Sequence, residues 1–340
     1  MNDLTPARLR ELKRGATVRP VELADQLGLP EAALIEAELG HGATRIDATL
    51  SRLFPAIETL GEVMALTRNR SCVIEKIGRY SEFHDGTHAA MTLDPEIDMR
   101  MFPRHWVHGF AVDIDGRRSI QVFDASGVAV HKVHLREGSN LAAFAALTAD
   151  LALPDQESLS DYAPRPAPEG ARIAEDRVDT LREEWGRMTD THQFNTLVRR
   201  LKMNRLGAYR AAGAPFVRQL AVSSVPTMFQ TVRDREMQVM LFVGNRGCIE
   251  IHSGRLANLR PMGPWLNVLD ERFNLHLRSD HLSEIWAVDK PTRRGAALSV
   301  EAFDADGELI FQCFGMRPEK GGDADAWADL VGSLPDAGDA

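Results

Sequence analysis

His192 is the residue best placed by type and spacing to hold a metal. It lies in residues 185–213, WGRMTDTHQFNTLVRRLKMNRLGAYRAAG. Asp190, with Gln193 three positions on, spells a capping box that opens a helix. Phe194, Leu197, Val198 and Leu201 then recur at helical spacing and form one buried stripe. At about 100° per residue His192 points away from that stripe. It sits in the first turn, where the positive end of the helix dipole disfavours imidazolium. A neutral imidazole is the form that a transition metal or haem iron accepts as a ligand. On these residues alone, a cap-region histidine that only hydrogen-bonds locally remains an open alternative. Met188 and Trp185 precede the helix and could line such a site or fill the core.

Other clusters offer less. His84, His88, His105 and His108 are close in sequence, but HWVH would put His105 and His108 on opposite faces of a strand. No cysteine or carboxylate completes a tetrahedral set by spacing, so a separate zinc site is not expected. GNRG at residues 244–247 lacks a phosphate-cradle pattern and reads as a hairpin turn. PMGPW at residues 261–265 reads as a rigid turn.

The elements that position His192 belong to a duplicated chain. Asn69-Arg70-Ser71-Cys72 matches Asn245-Arg246-Gly247-Cys248 at an offset of 176. The same offset pairs Gly78-Arg79 with Gly254-Arg255, Leu93-Asp94 with Leu269-Asp270, and His105 with His281. After a short insertion at residues 290–295 the offset becomes 180, pairing Phe123-Asp124-Ala125 and Gly127 with Phe303-Asp304-Ala305 and Gly307. In the helical segments an offset of 173 sets His192 against Arg19. Only the second copy then offers a ligand there, which favours one site over two.

Within each copy the order is helices, then hairpins. Residues 9–13, 20–27 and 31–39 read as helices, the last two broken at Gly28-Leu29-Pro30. Residues 62–77 read as two strands turned at Asn69-Arg70. Residues 106–112, 119–123 and 128–133 follow as strands, and residues 238–243, 248–252, 283–288, 298–303 and 309–314 repeat them. The fold class expected is α+β with internal duplication: two similar domains, each with helices packed on a largely antiparallel sheet. The first copy should span residues 1–154 and the second 173–334. Residues 155–172 form a linker stiffened by prolines at 164, 166 and 168.

Composition narrows the class. Of 340 residues, 44% are hydrophobic and 26% charged, ordinary values for a globular chain long enough for two cores. No apolar run suggests a membrane span, and the N-terminus does not read as an export signal. Three cysteines without a CxxC pair fit buried thiols in a cytoplasmic protein. A net charge of -9 argues against broad nucleic-acid affinity. Residues 21–40 do resemble a helix-turn-helix, but EAALIEAELG carries three Glu and no Arg or Lys for phosphates. No nucleic-acid partner is expected.

MTDTHQF, FVGNRGCIEIHSG and MGPWLNVLD, in that order, resemble the bacterial hemin-degrading-factor family, the cytoplasmic haem-trafficking proteins of the HemS and ChuS type. The resemblance covers nearly the whole chain. It implies haem b as ligand or substrate, with His192 as axial iron ligand. It implies a distal Arg100 with Phe102 beside it in the first copy, so that haem would lie in a cleft between the halves. Phe242 matches an aromatic on the distal face. Arg205, Lys290, Gln312 and Arg317 match propionate contacts. At Phe314 relatives can carry a tyrosine, and loss of that hydroxyl should cost about 1 kcal/mol of affinity.

Two functions follow from the resemblance. One is a carrier that accepts imported haem from an inner-membrane importer and transfers it to a haem oxygenase or another acceptor. The alternative is an enzyme that opens the macrocycle with O₂ and releases iron, with Arg100 as its catalytic residue. No flavin or nicotinamide motif is present, so an enzyme would need an external electron donor.

Overall fold

A computed structural model describes residues 4–157 and 159–338. Residues 1–3 of the expected first copy and residue 158 of the expected linker lie outside the described residues. The chain divides into two compact units. Unit 1 comprises Met1–Arg68, Ile74–Pro166 and Gly244–Glu250. Unit 2 comprises Asn69–Val73, Ala167–Val243 and Ile251–Ala340.

The first copy begins with helices α1 (Pro6–Gly15), α2 (Pro20–Leu27) and α3 (Glu31–Glu36). Strand β1 (Ala43–Ile46) and helix α4 (Leu50–Glu58) follow. The strands are β2 (Val63–Arg68), β3 (Cys72–Gly78), β4 (Phe83–His84), β5 (Ala90–Leu93), β6 (Asp98–Met101), β7 (His108–Ile114), β8 (Arg117–Phe123) and β9 (Ala129–Leu135), before helix α5 (Leu141–Leu151). Six of them lie in the order β1-β7-β8-β9-β2-β3.

The second copy repeats this element by element. Its helices are α6 (Val178–Gly186), α7 (Gln193–Arg200) and α8 (Arg205–Ala212), then strand β10 (Val217–Leu220) and helix α9 (Ser224–Asp234). Its strands continue with β11 (Val239–Gly244), β12 (Cys248–Gly254), β13 (Leu259–Met262), β14 (Trp265–Leu269), β15 (Phe273–Arg278), β16 (Glu284–Thr292), β17 (Gly295–Phe303) and β18 (Leu309–Gly315), and helix α10 (Ala324–Ser333) closes it. The order β10-β16-β17-β18-β11-β12 matches that of the first copy. The α+β duplication read from the sequence is the fold observed.

The repeated motifs make repeated turns. Asn69 Oδ1 accepts from the Ser71 and Cys72 amides, and Asn245 Oδ1 from those of Gly247 and Cys248. Their Nδ2 groups donate to Ile310 O and Val130 O, which stand at the repeat offset of 180. In the FDAxG turns, Asp124 and Asp304 each cap two backbone amides. Gly127 (φ 72°) and Gly307 (φ 82°) supply the left-handed residue each turn requires.

The insertion lengthens a hairpin. β7 and β8 are seven residues each, whereas β16 and β17 are nine. Two residues added to each strand preserve the period-two sidedness, so the hairpin grows without flipping any side chain.

α2 breaks at Gly28 (φ 66°). α3 turns Ala32, Leu34 and Ile35 into the core. Its Glu31 is buried against Arg68 and Lys132, and Glu36 against Arg45. The segment that resembles a DNA-reading helix is thus packed inward. Among the described residues from 153 to 174 there is no helix or strand. Part of this stretch is tied down: the Ser160 amide and hydroxyl and the Tyr162 hydroxyl donate to Glu36, and the Ala163 amide to Ala125 O.

One local expectation is corrected. His105 ends a 3-10 turn, Pro103–His105, so it is not on a strand with His108, which opens β7. A strand there would have lost its ladder bonds at Pro103. His281 ends the corresponding 3-10 turn, Ser279–His281.

Candidate functional site

α7 buries Phe194, Leu197 and Val198, and Leu201 follows into the same core. His192 is the N-cap residue of α7, as Arg19 is of α2. Its side chain is 91% exposed. Asp190 Oδ1 accepts from the His192 backbone amide at 2.8 Å and stands 2.6 Å from His192 Nδ1. A carboxylate at that distance makes Nδ1 the donor and leaves the Nε2 lone pair for a ligand role. Nε2 has no hydrogen-bond partner among the described residues. The His192 amide, then its ring, holds the Asp190 carboxyl below the usual range.

Two neighbours fix this turn. Gln193 Oε1 accepts from the Thr189 and Asp190 amides at 2.8 and 3.2 Å. From the tip of the β16–β17 hairpin, the Arg293 amide donates to Thr189 O at 3.0 Å. The insertion peculiar to the second copy therefore buttresses the histidine-bearing turn. Trp185 and Met188 are core residues: Trp185 is 0% exposed and its indole N–H donates to Asp289 O.

Behind α7 and α8 lies a buried ionic network. Lys290 Nζ donates to Glu301 Oε1 at 2.6 Å and to the Tyr209 hydroxyl at 3.0 Å. Arg205 Nη1 reaches Glu301 Oε2 at 2.9 Å, and its Nη2 reaches Asn195 Oδ1 at 3.1 Å. Tyr209 and Ser299 hydroxyls also donate to Glu301. Burial alone would raise the Glu301 carboxyl, but Lys290 and Arg205 outweigh it and hold it at about 2. Burial pulls Lys290 down to about 8, the Glu301 charge opposing. Arg205 is less enclosed, its side chain 22% exposed.

Strand register extends this face. Gln312 stands opposite both Phe242 and Glu301, and Phe314 opposite Met240 and Ser299. Directly paired residues point to the same side, so all six share one face. Met240, Phe242, Gln312 and Phe314 are half-buried there, and the rings of Phe242 and Phe314 meet edge to face at 5.4 Å. Arg317 is exposed at the start of the Pro318–Lys320 turn. Unit 2 thus combines an apolar shelf, cations and an open imidazole nitrogen. This donor set fits an iron macrocycle with acidic side chains.

Arg100 and Phe102 belong to unit 1. Arg100, on β6, pairs with Asp98 and donates to Met99 O at 2.9 Å. Phe102 is half-buried, with its amide donating to Gly247 O at 2.8 Å. Unit 1 also holds a buried cluster that sequence reading missed. His131 Nδ1 meets the Thr67 hydroxyl at 2.8 Å and its Nε2 meets Tyr80 at 2.5 Å. Glu250 is 0% exposed, with its Oε2 4.0 Å from His131 Nδ1. Burial pushes its carboxyl up to about 8, with Thr67 and then Lys76 opposing. Tyr209, Arg293 and Glu301 were likewise missed. Asp190 was read in the sequence only as the helix cap, a position the structure gives to His192.

A family profile, the haemin-degrading HemS.ChuX domain, matches the chain twice, over residues 28–151 and 202–334. The chain belongs to the HemS.ChuX family. The two matches correspond to the two copies, so each copy is a HemS.ChuX domain. The hemin transport protein HmuS of Yersinia pestis is 35% identical over 318 residues, covering 92% of each chain. Holo-PhuS, a heme-binding protein from Pseudomonas aeruginosa, superposes with a TM-score of 0.92 at 35% identity, covering 97% of this chain and 99% of its own. ChuS, an E. coli heme oxygenase, superposes with a TM-score of 0.86 at 30% identity, over 97% of this chain and 99% of its own. No helix of this family member, among the described residues, is long and apolar enough to cross a membrane.

Proposed function

We propose that this protein binds haem through His192 and carries it, accepting imported haem and passing it to a haem oxygenase or another acceptor. The observation that carries this reading is His192 itself: an imidazole 91% exposed, anchored through Nδ1 on Asp190, with Nε2 open. An exposed axial ligand suits a cargo that must enter and leave. Bound haem would supply the iron that Nε2 ligates, while Phe242 and Phe314 pack on its apolar surface. Arg205, Lys290, Gln312 and Arg317 are the proposed propionate side, with Arg205 and Arg317 the more accessible cations. The roles of Arg100 and Phe102 toward the same haem rest on family resemblance. The kinship with HmuS, a hemin transport protein, supports cargo over substrate.

The second reading, degradation, is favoured by kinship with ChuS, described as a heme oxygenase. Arg100 would then orient O₂, and electrons would come from a partner. A single-turnover assay separates the two. The haem complex is incubated with a reductase system and catalase, which removes free peroxide, and then with an apo acceptor. Intact haem that moves to the acceptor faster than it dissociates supports the carrier. Stoichiometric tetrapyrrole product and released iron, lost in Arg100→Ala, would overturn it.

A further inference from the structure

The turn that presents His192 contains a second residue aimed at the chemistry. Asp190 Oδ1 receives the backbone amide of His192 and its ring Nδ1 together, at 2.8 and 2.6 Å. One oxygen thus fixes both the backbone and the ring of the same residue. Asp190 is itself held, because its own amide donates to Gln193 Oε1 at 3.2 Å. The preceding carbonyl, Thr189 O, accepts from Arg293 on the inserted hairpin at 3.0 Å.

The first copy lacks both partners. Under the helical offset of 173, Asp190 falls on Thr17 and His192 on Arg19, and Arg19 pairs with Glu22. Carboxylate, imidazole and the longer hairpin therefore occur together in the second copy only. Closing the turn before α7 explains the backbone contact but not the ring contact.

We propose that Asp190 is a positioning residue that holds His192 as the Nδ1–H tautomer and sets the donor strength of Nε2 toward haem iron. The inference rests on His192 being the axial ligand. A carboxylate receiving Nδ1–H fixes the ring orientation and makes Nε2 more basic, as outer partners of metal-bound histidines do. Greater basicity favours ferric over ferrous iron, so Asp190 biases the protein toward oxidised hemin.

The test uses the full chain with hemin as probe, comparing wild type with Asp190→Asn, Asp190→Ala and His192→Ala. Asp190→Asn keeps an acceptor for the backbone amide while removing the charge, so it separates closing the turn from ligand tuning. The readouts are ferric hemin affinity, the iron–histidine stretch of the ferrous complex by resonance Raman, and the reduction potential. Asp190→Ala is expected to lose roughly 10- to 100-fold in ferric affinity. Both Asp190 variants should show a lower stretching frequency and a more positive potential. A stretch, potential and affinity unchanged in both, alongside loss of the stretch in His192→Ala, would overturn the role of Asp190 alone. Absence of any iron–histidine stretch in wild type would overturn the ligand assignment and this inference with it.

Discussion

Lys290 Nζ lies 2.6 Å from Glu301 Oε1, with the two side chains 3% and 0% exposed. The pair sits under Arg205 and Tyr209, where removing one partner strands the other charge in a dry interior. Glu301→Ala should therefore destabilise unit 2 by about 3–5 kcal/mol. Adding Lys290→Met should recover part of that loss. Urea unfolding of the single and double variants checks this, and equal losses in both would contradict it. The folded Glu301 carboxyl is depressed, so its contribution is complete above the unfolded value of 4.5 and disappears as pH falls toward about 2.

Glu250 gives the opposite sign. Its carboxyl is raised from 4.5 to about 8 by burial, so the folded protein binds the extra proton within that window. Stability should fall as pH rises from about 4.5 to 8. Glu250→Gln should flatten this slope. Denaturant midpoints at pH 5 and pH 8 measure it, and an unchanged slope in the variant would refute the assignment. At the repeat positions of Glu250, His131, Tyr80 and Thr67 stand Ile74, Phe311, Leu256 and Val243, so the polar cluster has no counterpart at the repeat-related positions.

Much of the fold was legible because the duplication checks itself. The break at Gly28-Leu29-Pro30, the Asn69 and Asn245 turns and the FDAxG turns are written in residues with strict backbone roles. β1 and β10 were not legible, since four-residue strands such as ATRI and VRQL are too short for period-two alternation to register. α4 was missed although Leu50, Leu53, Phe54 and Ile57 are spaced as a helix, because Pro55 lies inside it. Glu301 was unreadable in principle: its two cations come from residues 96 and 11 positions away, a closeness only the folded chain creates.

Phe314 shares a face with Phe242 and Gln312, so a hydroxyl added there would project from the proposed haem shelf. Phe314→Tyr should tighten hemin binding by about 1 kcal/mol, roughly fivefold. Hemin titration of the variant measures the gain. Weaker binding would show that the ring edge faces protein, not ligand.

Limited proteolysis should cut within residues 164–169. These residues are exposed and follow the last tethered amide, Ala163, while Gly170 O is already bound by Asn204 Nδ2. Mapping the first cleavage by mass spectrometry checks this. First cuts inside the β-hairpins of either unit would contradict the linker assignment.

The central claim is that His192 ligates haem iron, and hemin titration followed at the Soret band tests it most directly. Wild type should saturate at about one equivalent with a histidine-ligated spectrum. His192→Ala should shift that spectrum and weaken binding, leaving residual affinity from the Phe242–Phe314 shelf and the propionate side. A spectrum and affinity identical to wild type in His192→Ala would contradict the account.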